Sequence, residues 1–131
     1  SEVTVATTKI TLRNPLGSIV FQDTALSTTP VEVAAQKQTY YHFELDNTAN
    51  SAVTYFKFYS TNGAPTVTSD TPRIIIPVAA STKTYVSTGT GFAHGTTGGS
   101  AQGMYVIASA TLANATAQTA PSTACGLTIL G

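Results

Sequence analysis

Between Tyr40 and Pro77 the chain alternates apolar and polar residues, breaks, and alternates again. In Tyr40–Asp46, Tyr41, Phe43 and Leu45 fall on one parity, and Tyr40, His42, Glu44 and Asp46 on the other. This is the period-two signature of a half-buried strand. Asp46-Asn47-Thr48-Ala49-Asn50-Ser51 interrupts it with residues whose side chains bond nearby backbone and favour turns. Val53–Tyr59 resumes the pattern, with Phe56 and Phe58 on one face and Val53, Tyr55, Lys57 and Tyr59 on the other. The two segments read as an aromatic hairpin at the centre of a small β core. Asn62-Gly63 is a further turn signal, and two prolines keep Pro65–Pro72 out of regular pairing. Ile74–Val78 follows as a fully buried strand that Pro77 turns into an edge or a bend.

The flanking segments follow the same logic. Ser1–Arg13 alternates loosely through Val3, Val5, Ile10 and Leu12, with an extended arm expected at residues 1–8. Asn14-Pro15-Leu16-Gly17 is a turn, Ser18–Asp23 the returning strand, and Val31–Ala35 a short strand or the entry to the central hairpin. Thr82–Thr88 alternates, Met104–Thr111 reads as a buried strand, and Gly126–Leu130 closes the chain. Gly89–Gly103 is a glycine-rich loop expected to make contacts on assembly, since loops of that length in a compact domain are functional or disordered. No segment carries the period of a long amphipathic helix. Residues 1–131 therefore form one all-β domain, a single antiparallel β-sandwich of jelly-roll or immunoglobulin-like type with about eight strands. Its expected core holds Phe43, Leu45, Phe56, Phe58, Ile75 and Val106.

Composition narrows what such a domain can do. Only 9% of the 131 residues are charged, and Lys plus Arg (6) balances Asp plus Glu (6). An average domain carries about 25% charged residues. Scattered cations cannot build the basic patch that nucleic acid requires, nor hold an anionic membrane surface. A neutral, sparsely charged surface instead favours association with protein. Hydrophobic residues at 42% exclude an unstructured Ser/Thr linker. Cys125 is the single cysteine, so no intrachain disulfide is available, and it reads as a small buried hydrophobe. The opening SEVTVATTKI lacks the apolar run of a secretory leader, and no segment reaches transmembrane length.

Candidate chemistry is scarce. His42, Glu44 and Asp46 share a strand face, but same-face neighbours lie roughly 6.5–7 Å apart, so a metal would need a bent strand end. A solvated face with one His–Glu contact is the simpler reading. His94 sits in the glycine segment, and a zinc site from His42, His94 and Cys125 would lack a fourth ligand. No serine lies in a GxSxG elbow, no phosphate-loop spacing is present, and Glu2, Asp23, Glu32, Glu44, Asp46 and Asp70 show no pairing motif. Asn114-Ala115-Thr116 is a formal glycosylation acceptor without a secretory signal. A sugar-binding face would rely on Tyr40, Tyr55, Tyr59, Tyr85 or Tyr105, as there is no tryptophan. The expectation is a protein that is not an enzyme and has no catalytic, metal or cofactor residues.

One stretch carries a family likeness. Lys57-Phe58-Tyr59, then Ala64-Pro65-Thr66-Val67, Thr71-Pro72 and Ile74 to Pro77 resemble a pattern in small virion-structural proteins of tailed phages. Gly91-Phe92 and the tail from Thr119-Ala120-Pro121 extend the likeness over about the last two thirds of the chain. The resemblance implies a decoration (cement) protein on the outer surface of a phage head. Its partner would be the major capsid protein or another virion protein, and homotrimers would match three-fold lattice positions. The same family resemblance admits a tail, neck or fibre location. A glycan-binding β-sandwich is the alternative of a different class. The protein would be made in the host cytoplasm, with no nucleic acid and no membrane as partner.

Overall fold

The computed structural model describes residues 19–35, 38–94 and 103–130. Eight strands run in chain order: β1 (Ile19–Leu26), β2 (Val31–Ala34), β3 (Gln38–Asp46), β4 (Thr54–Thr61), β5 (Ile74–Val78), β6 (Lys83–His94), β7 (Gly103–Ser109) and β8 (Cys125–Leu130). They form two four-stranded sheets, sheet A in the order β1-β8-β3-β6 and sheet B in the order β2-β7-β4-β5. All the pairings are antiparallel. β1 lies beside β8, β2 beside β7, β3 beside β6 and β4 beside β5. A long hairpin of eight strands rolled over on itself gives this order, so the sandwich is a jelly roll, and the immunoglobulin-like alternative is set aside.

The two sheets treat their outer faces differently. β8 alternates cleanly, with Cys125, Leu127 and Ile129 buried and Gly126, Thr128 and Leu130 half-exposed, as expected of a sheet with one face in water. β4 and β7, the middle strands of sheet B, are buried along most of their length on both faces. The core lies between the sheets: Leu26, Phe43, Leu45 and Leu127 from sheet A meet Phe56, Phe58, Val78 and Val106 from sheet B. Phe43 and Phe58 meet edge to face, ring centroids 5.7 Å apart at 78°. That geometry places the positive ring edge on the negative face and contributes about 1 kcal/mol beyond burial.

Several expectations need correction. β3 and β4 are not a hairpin: they belong to opposite sheets, and the residues between them form an arch across one end of the sandwich. Their aromatics meet through the core instead of side by side. Tyr40, assigned to the polar parity, is fully buried and packs on Phe43, while Tyr41 is only half-buried. A register shift between Tyr40 and His42 against β6 breaks the alternation there, and the Thr88 hydroxyl donates to both the Tyr40 and Tyr41 carbonyls. Ile75 is not in the core; it sits opposite Lys57, and Ile74 and Ile76 face inward opposite Phe58 and Phe56. β5 is a half-buried edge strand, guarded at its end by exposed Pro77. The glycine-rich segment begins as strand, because β6 runs to His94. The expected strand Ser1–Arg13, the arm at 1–8 and the rest of the glycine loop at 95–102 lie outside the described residues.

At the arch end, the buried Asn47 side chain ties both sheets together. Its Nδ2 donates to the carbonyls of Ala52 (2.9 Å), Val78 (3.1 Å) and Ala79 (3.1 Å). Its Oδ1 accepts from Asn50 Nδ2 (2.9 Å), Thr54 Oγ1 (2.7 Å) and the Cys125 thiol (3.5 Å). Asn50 carries the network on, accepting from Thr123 N and donating to Thr123 O. Replacing Asn47 by Ala strands several buried donors and acceptors. Asn47→Ala is expected to cost about 3 kcal/mol and lower the melting temperature by about 10 °C. Asn47→Asp should cost at least as much, because an oxygen would face the Val78 and Ala79 carbonyls. Thermal melts followed by far-ultraviolet circular dichroism measure both.

Candidate functional site

Three surfaces could carry function, and the chain itself closes one of them. On the outer face of sheet B, Lys57 lies between Ile75 and Ile107 in a cross-strand row, and its side chain is fully buried. Its Nζ donates to the carbonyls of Leu112 (3.3 Å) and Ala113 (2.8 Å) and to Gln118 Oε1 (2.9 Å). An ammonium has three donors and no acceptor, so these partners match its capacity. Gln118 is held in turn by Ser109 Oγ, which donates to Oε1 at 2.7 Å, and by its own donation to the Ala113 and Thr116 carbonyls. Residues 110–124 thus fold back over this face and are pinned to it by one cation. Burial lowers the Lys57 pKa, since a low-dielectric site penalises the charged form. Residues 62–73 cover the neighbouring Tyr59, with Pro65 and Pro72 buried and Arg73 N bonded to the Phe58 carbonyl. Burial, and then the Asp70 charge, raise the Tyr59 pKa.

The outer face of sheet A is open among the described residues. Gln22, Thr128, Glu44 and Tyr85 pair in one row across all four strands. Gln22 Nε2 donates to Thr128 Oγ1 at 3.2 Å. Lys83 bridges Glu44 at 3.1 Å and Asp46 at 3.9 Å. The Thr48 hydroxyl and amide, more than Lys83, hold the Asp46 carboxyl below its usual range. His42 Nδ1 lies 2.8 Å from Ser87 Oγ, and its ring stacks beside Tyr85, centroids 5.9 Å apart at 24°. Tyr85 is 59% exposed.

The third surface is a cleft where the sandwich opens between β5 and β6, the edge strands on that side. Phe43, Phe58, Ile74, Ile76, Val86, Thr88 and Met104 line a half-open space of about 200 Å³. Apart from the Thr88 hydroxyl the lining is apolar. That hydroxyl is already committed to the Tyr40 and Tyr41 carbonyls, so the cleft offers apolar contact and little hydrogen bonding.

The structure brings His42, Glu44 and Asp46 onto one face, as the alternation implied. Among the described residues no three of His, Cys, Asp and Glu come together as a metal site. Glu44 and Asp46 share Lys83 instead of facing each other as an acid–base pair. The backbone of His94 pairs with Gln38; its side chain is not among those described. Cys125 is buried in the Asn47 network, and burial raises its thiol pKa, so it is no nucleophile. Tyr40 is a core residue, Tyr59 is buried on the outer face of sheet B, Tyr105 donates to Glu32 at 2.8 Å, and Tyr85 stands out toward solvent. Asn114 lies in the segment over Lys57 with its side-chain oxygen buried, unsuited to glycosylation. Sequence reasoning placed Lys57 on the strand face opposite Phe56 and Phe58 and gave it no role. The missed signal was a lone cation in a strand flanked by Tyr55, Phe56, Phe58 and Tyr59.

No protein-family model matches the chain, and neither the curated proteins nor the solved structures contain a match to it.

The buried phenols make an alkaline prediction. Among the described residues the Tyr40 hydroxyl has no hydrogen-bond partner, and burial pushes its pKa up to about 12. In the unfolded chain it ionises near its usual value of about 10. Its contribution to stability is therefore intact below about pH 10 and is lost as pH rises through about 12. Lys57 acts in the opposite sense: its depressed pKa gives a contribution that grows with pH up to the ordinary lysine range. Tyrosinate absorbance is expected to show a late step that coincides with loss of the β-sheet circular dichroism signal. Tyr40→Phe should reduce that late step, leaving the share of Tyr59, and, by deleting an unpartnered hydroxyl, leave stability unchanged or raise it by about 1 kcal/mol.

Proposed function

We propose that this protein is a structural subunit of a phage particle: a decoration protein that attaches to the major capsid protein on the outside of the head and opposes separation of shell subunits. It is not an enzyme in this reading. It acts as a homotrimer at three-fold positions of the lattice.

The observation that carries the reading is the apolar cleft between β5 and β6. A chain with so few charges cannot build an interface dominated by salt bridges, and the cleft is sized for apolar side chains of a neighbouring protein. The adjoining strand edges add backbone hydrogen-bonding groups, the usual means by which a sheet recruits an extended segment. Two further points support the reading. Jelly rolls recur among viral shell proteins, although they recur among lectins too, so the fold is an analogy and not an assignment. The residues of the phage-like pattern also do coherent work: Lys57, Phe58, Tyr59, Pro65 and Pro72 are all buried and Ile74 and Ile76 line the cleft.

A subunit that binds only the assembled shell stabilises it by mass action. Purified protein added to bare shells should attach at lattice-defined stoichiometry, persist at high salt, and raise the temperature at which the shells rupture. Ile76→Thr, which keeps β-branching but weakens the cleft, should reduce attachment about tenfold while the isolated domain still melts cooperatively. Attachment that collapses steeply with salt, or equal rupture temperatures for decorated and bare shells, would rule out the cement role. Co-purification with isolated tails instead of heads would move the subunit to the tail.

A further inference from the structure

The outer face of sheet A combines features that shell attachment does not use. Among the described residues Tyr85 is the one large hydrophobic residue exposed on it; the others exposed, Val53 and Leu112, belong to the arch and to the segment over sheet B. A tyrosine left in water on the outer face of a sheet is not explained by burial. It is also not loose, because the His42 ring lies beside it in nearly parallel orientation and is itself fixed by Ser87. The two rings make a small, rigid aromatic platform.

The same row continues across the sheet with groups suited to hydroxyl ligands. Glu44 is directly opposite Tyr85, Thr128 opposite Glu44, and Gln22 opposite Thr128. Strand spacing makes this row about 14 Å long. Its floor is low, because Gly126 and Thr128 are the residues that β8 presents beside Asp46 and Glu44. Carboxylate, hydroxyl and carboxamide groups thus line a shallow trough beside an aromatic ring. Lys83 holds Glu44 and Asp46 in place, which fixes their orientation before any ligand arrives.

The chemistry selects the occupant. Two carboxylates against one lysine give no attraction for phosphate, sulfate or nucleic acid. A protein partner would need more than one exposed apolar side chain at the centre of its contact. A neutral sugar fits both parts of the face. The faintly positive C–H face of a pyranose ring lies against the negative face of an aromatic ring, and its hydroxyls both donate to carboxylates and accept from amides and hydroxyls. We propose that the Gln22–Thr128–Glu44–Tyr85 row is a binding site for uncharged oligosaccharides, with Tyr85 as the stacking platform and Glu44 as the principal hydroxyl acceptor. The site lies apart from the β5–β6 cleft and does not depend on the shell-binding role.

The test uses the full chain, isotope-labelled, titrated with maltotetraose, cellotetraose and chitotetraose, with sialyllactose as an anionic control. Amide shifts are expected to cluster at Gln22, His42, Glu44, Tyr85 and Thr128 with millimolar affinity for at least one neutral sugar. Tyr85→Ala should weaken that affinity about tenfold or more, and Tyr85→Phe should retain most of it. Because Tyr85 is largely exposed, Tyr85→Ala should leave the melting temperature nearly unchanged, which separates loss of binding from loss of fold. No response to any neutral sugar, preference for sialyllactose, or binding indifferent to Tyr85→Ala would each overturn the proposal.

Discussion

A buried carboxamide brings two donors and an oxygen with two lone pairs into a place without water, and each must be answered. Asn47 answers them with groups from four parts of the chain: Asn50 and Ala52 within the arch, Thr54 where β4 begins, Val78 and Ala79 where β5 ends, and Cys125 where β8 begins. Four connections, β1–β2, β3–β4, β5–β6 and β7–β8, reverse direction at this end of the sandwich, and those after β3 and β5 turn backbone carbonyls toward Asn47. An apolar side chain at position 47 would leave those groups unpaired. With no disulfide and little charge available, this network is what fixes the two sheets in relative position at that end. The edge-to-face contact of Phe43 on Phe58 follows from that placement, since the two residues leave the arch in opposite sheets.

Lys57 sets the second feature of the molecule, its asymmetry. By capturing two carbonyls and a glutamine oxygen it holds residues 110–124 against sheet B, and residues 62–73 cover the rest. A single buried cation is tolerable because every donor is used, although it remains costlier than an apolar contact. Sheet A has no such cover among the described residues. Among the described residues the surfaces left open are therefore the outer face of sheet A and the cleft margin between β5 and β6. The first is polar with one aromatic platform; the second is apolar. They suit different ligands.

Much of the fold was legible in the sequence, and the failures share a cause. Period-two alternation located most strands, Asn62-Gly63 marked a turn in which Gly63 adopts φ of 81°, and Pro77 marked an edge. Alternation is local, however, and cannot tell a hairpin from an arch. The break at Asp46–Ser51 fits either, and only long-range pairing of β3 with β6 and β8 decides it. The same limit applies to Tyr40, whose face depends on a register shift set by β6. It applies again to Lys57, whose burial depends on a segment more than fifty residues away in sequence. On the candidate site, the sequence placed His42, Glu44 and Asp46 on one face and offered Tyr85 as one of five tyrosines. Nothing local could pick Tyr85 out, because exposure is decided by what the rest of the chain leaves uncovered.

The central claim is that contacts to a large partner fall on the β5–β6 margin, while the covered face of sheet B stays internal. Hydrogen–deuterium exchange of the protein, free and attached to purified head shells, tests it most directly. The account predicts added protection in Ile74–Val78 and Lys83–Thr88 and unchanged exchange across residues 110–124. Added protection confined to residues 110–124, with the β5–β6 margin unaffected, would contradict it.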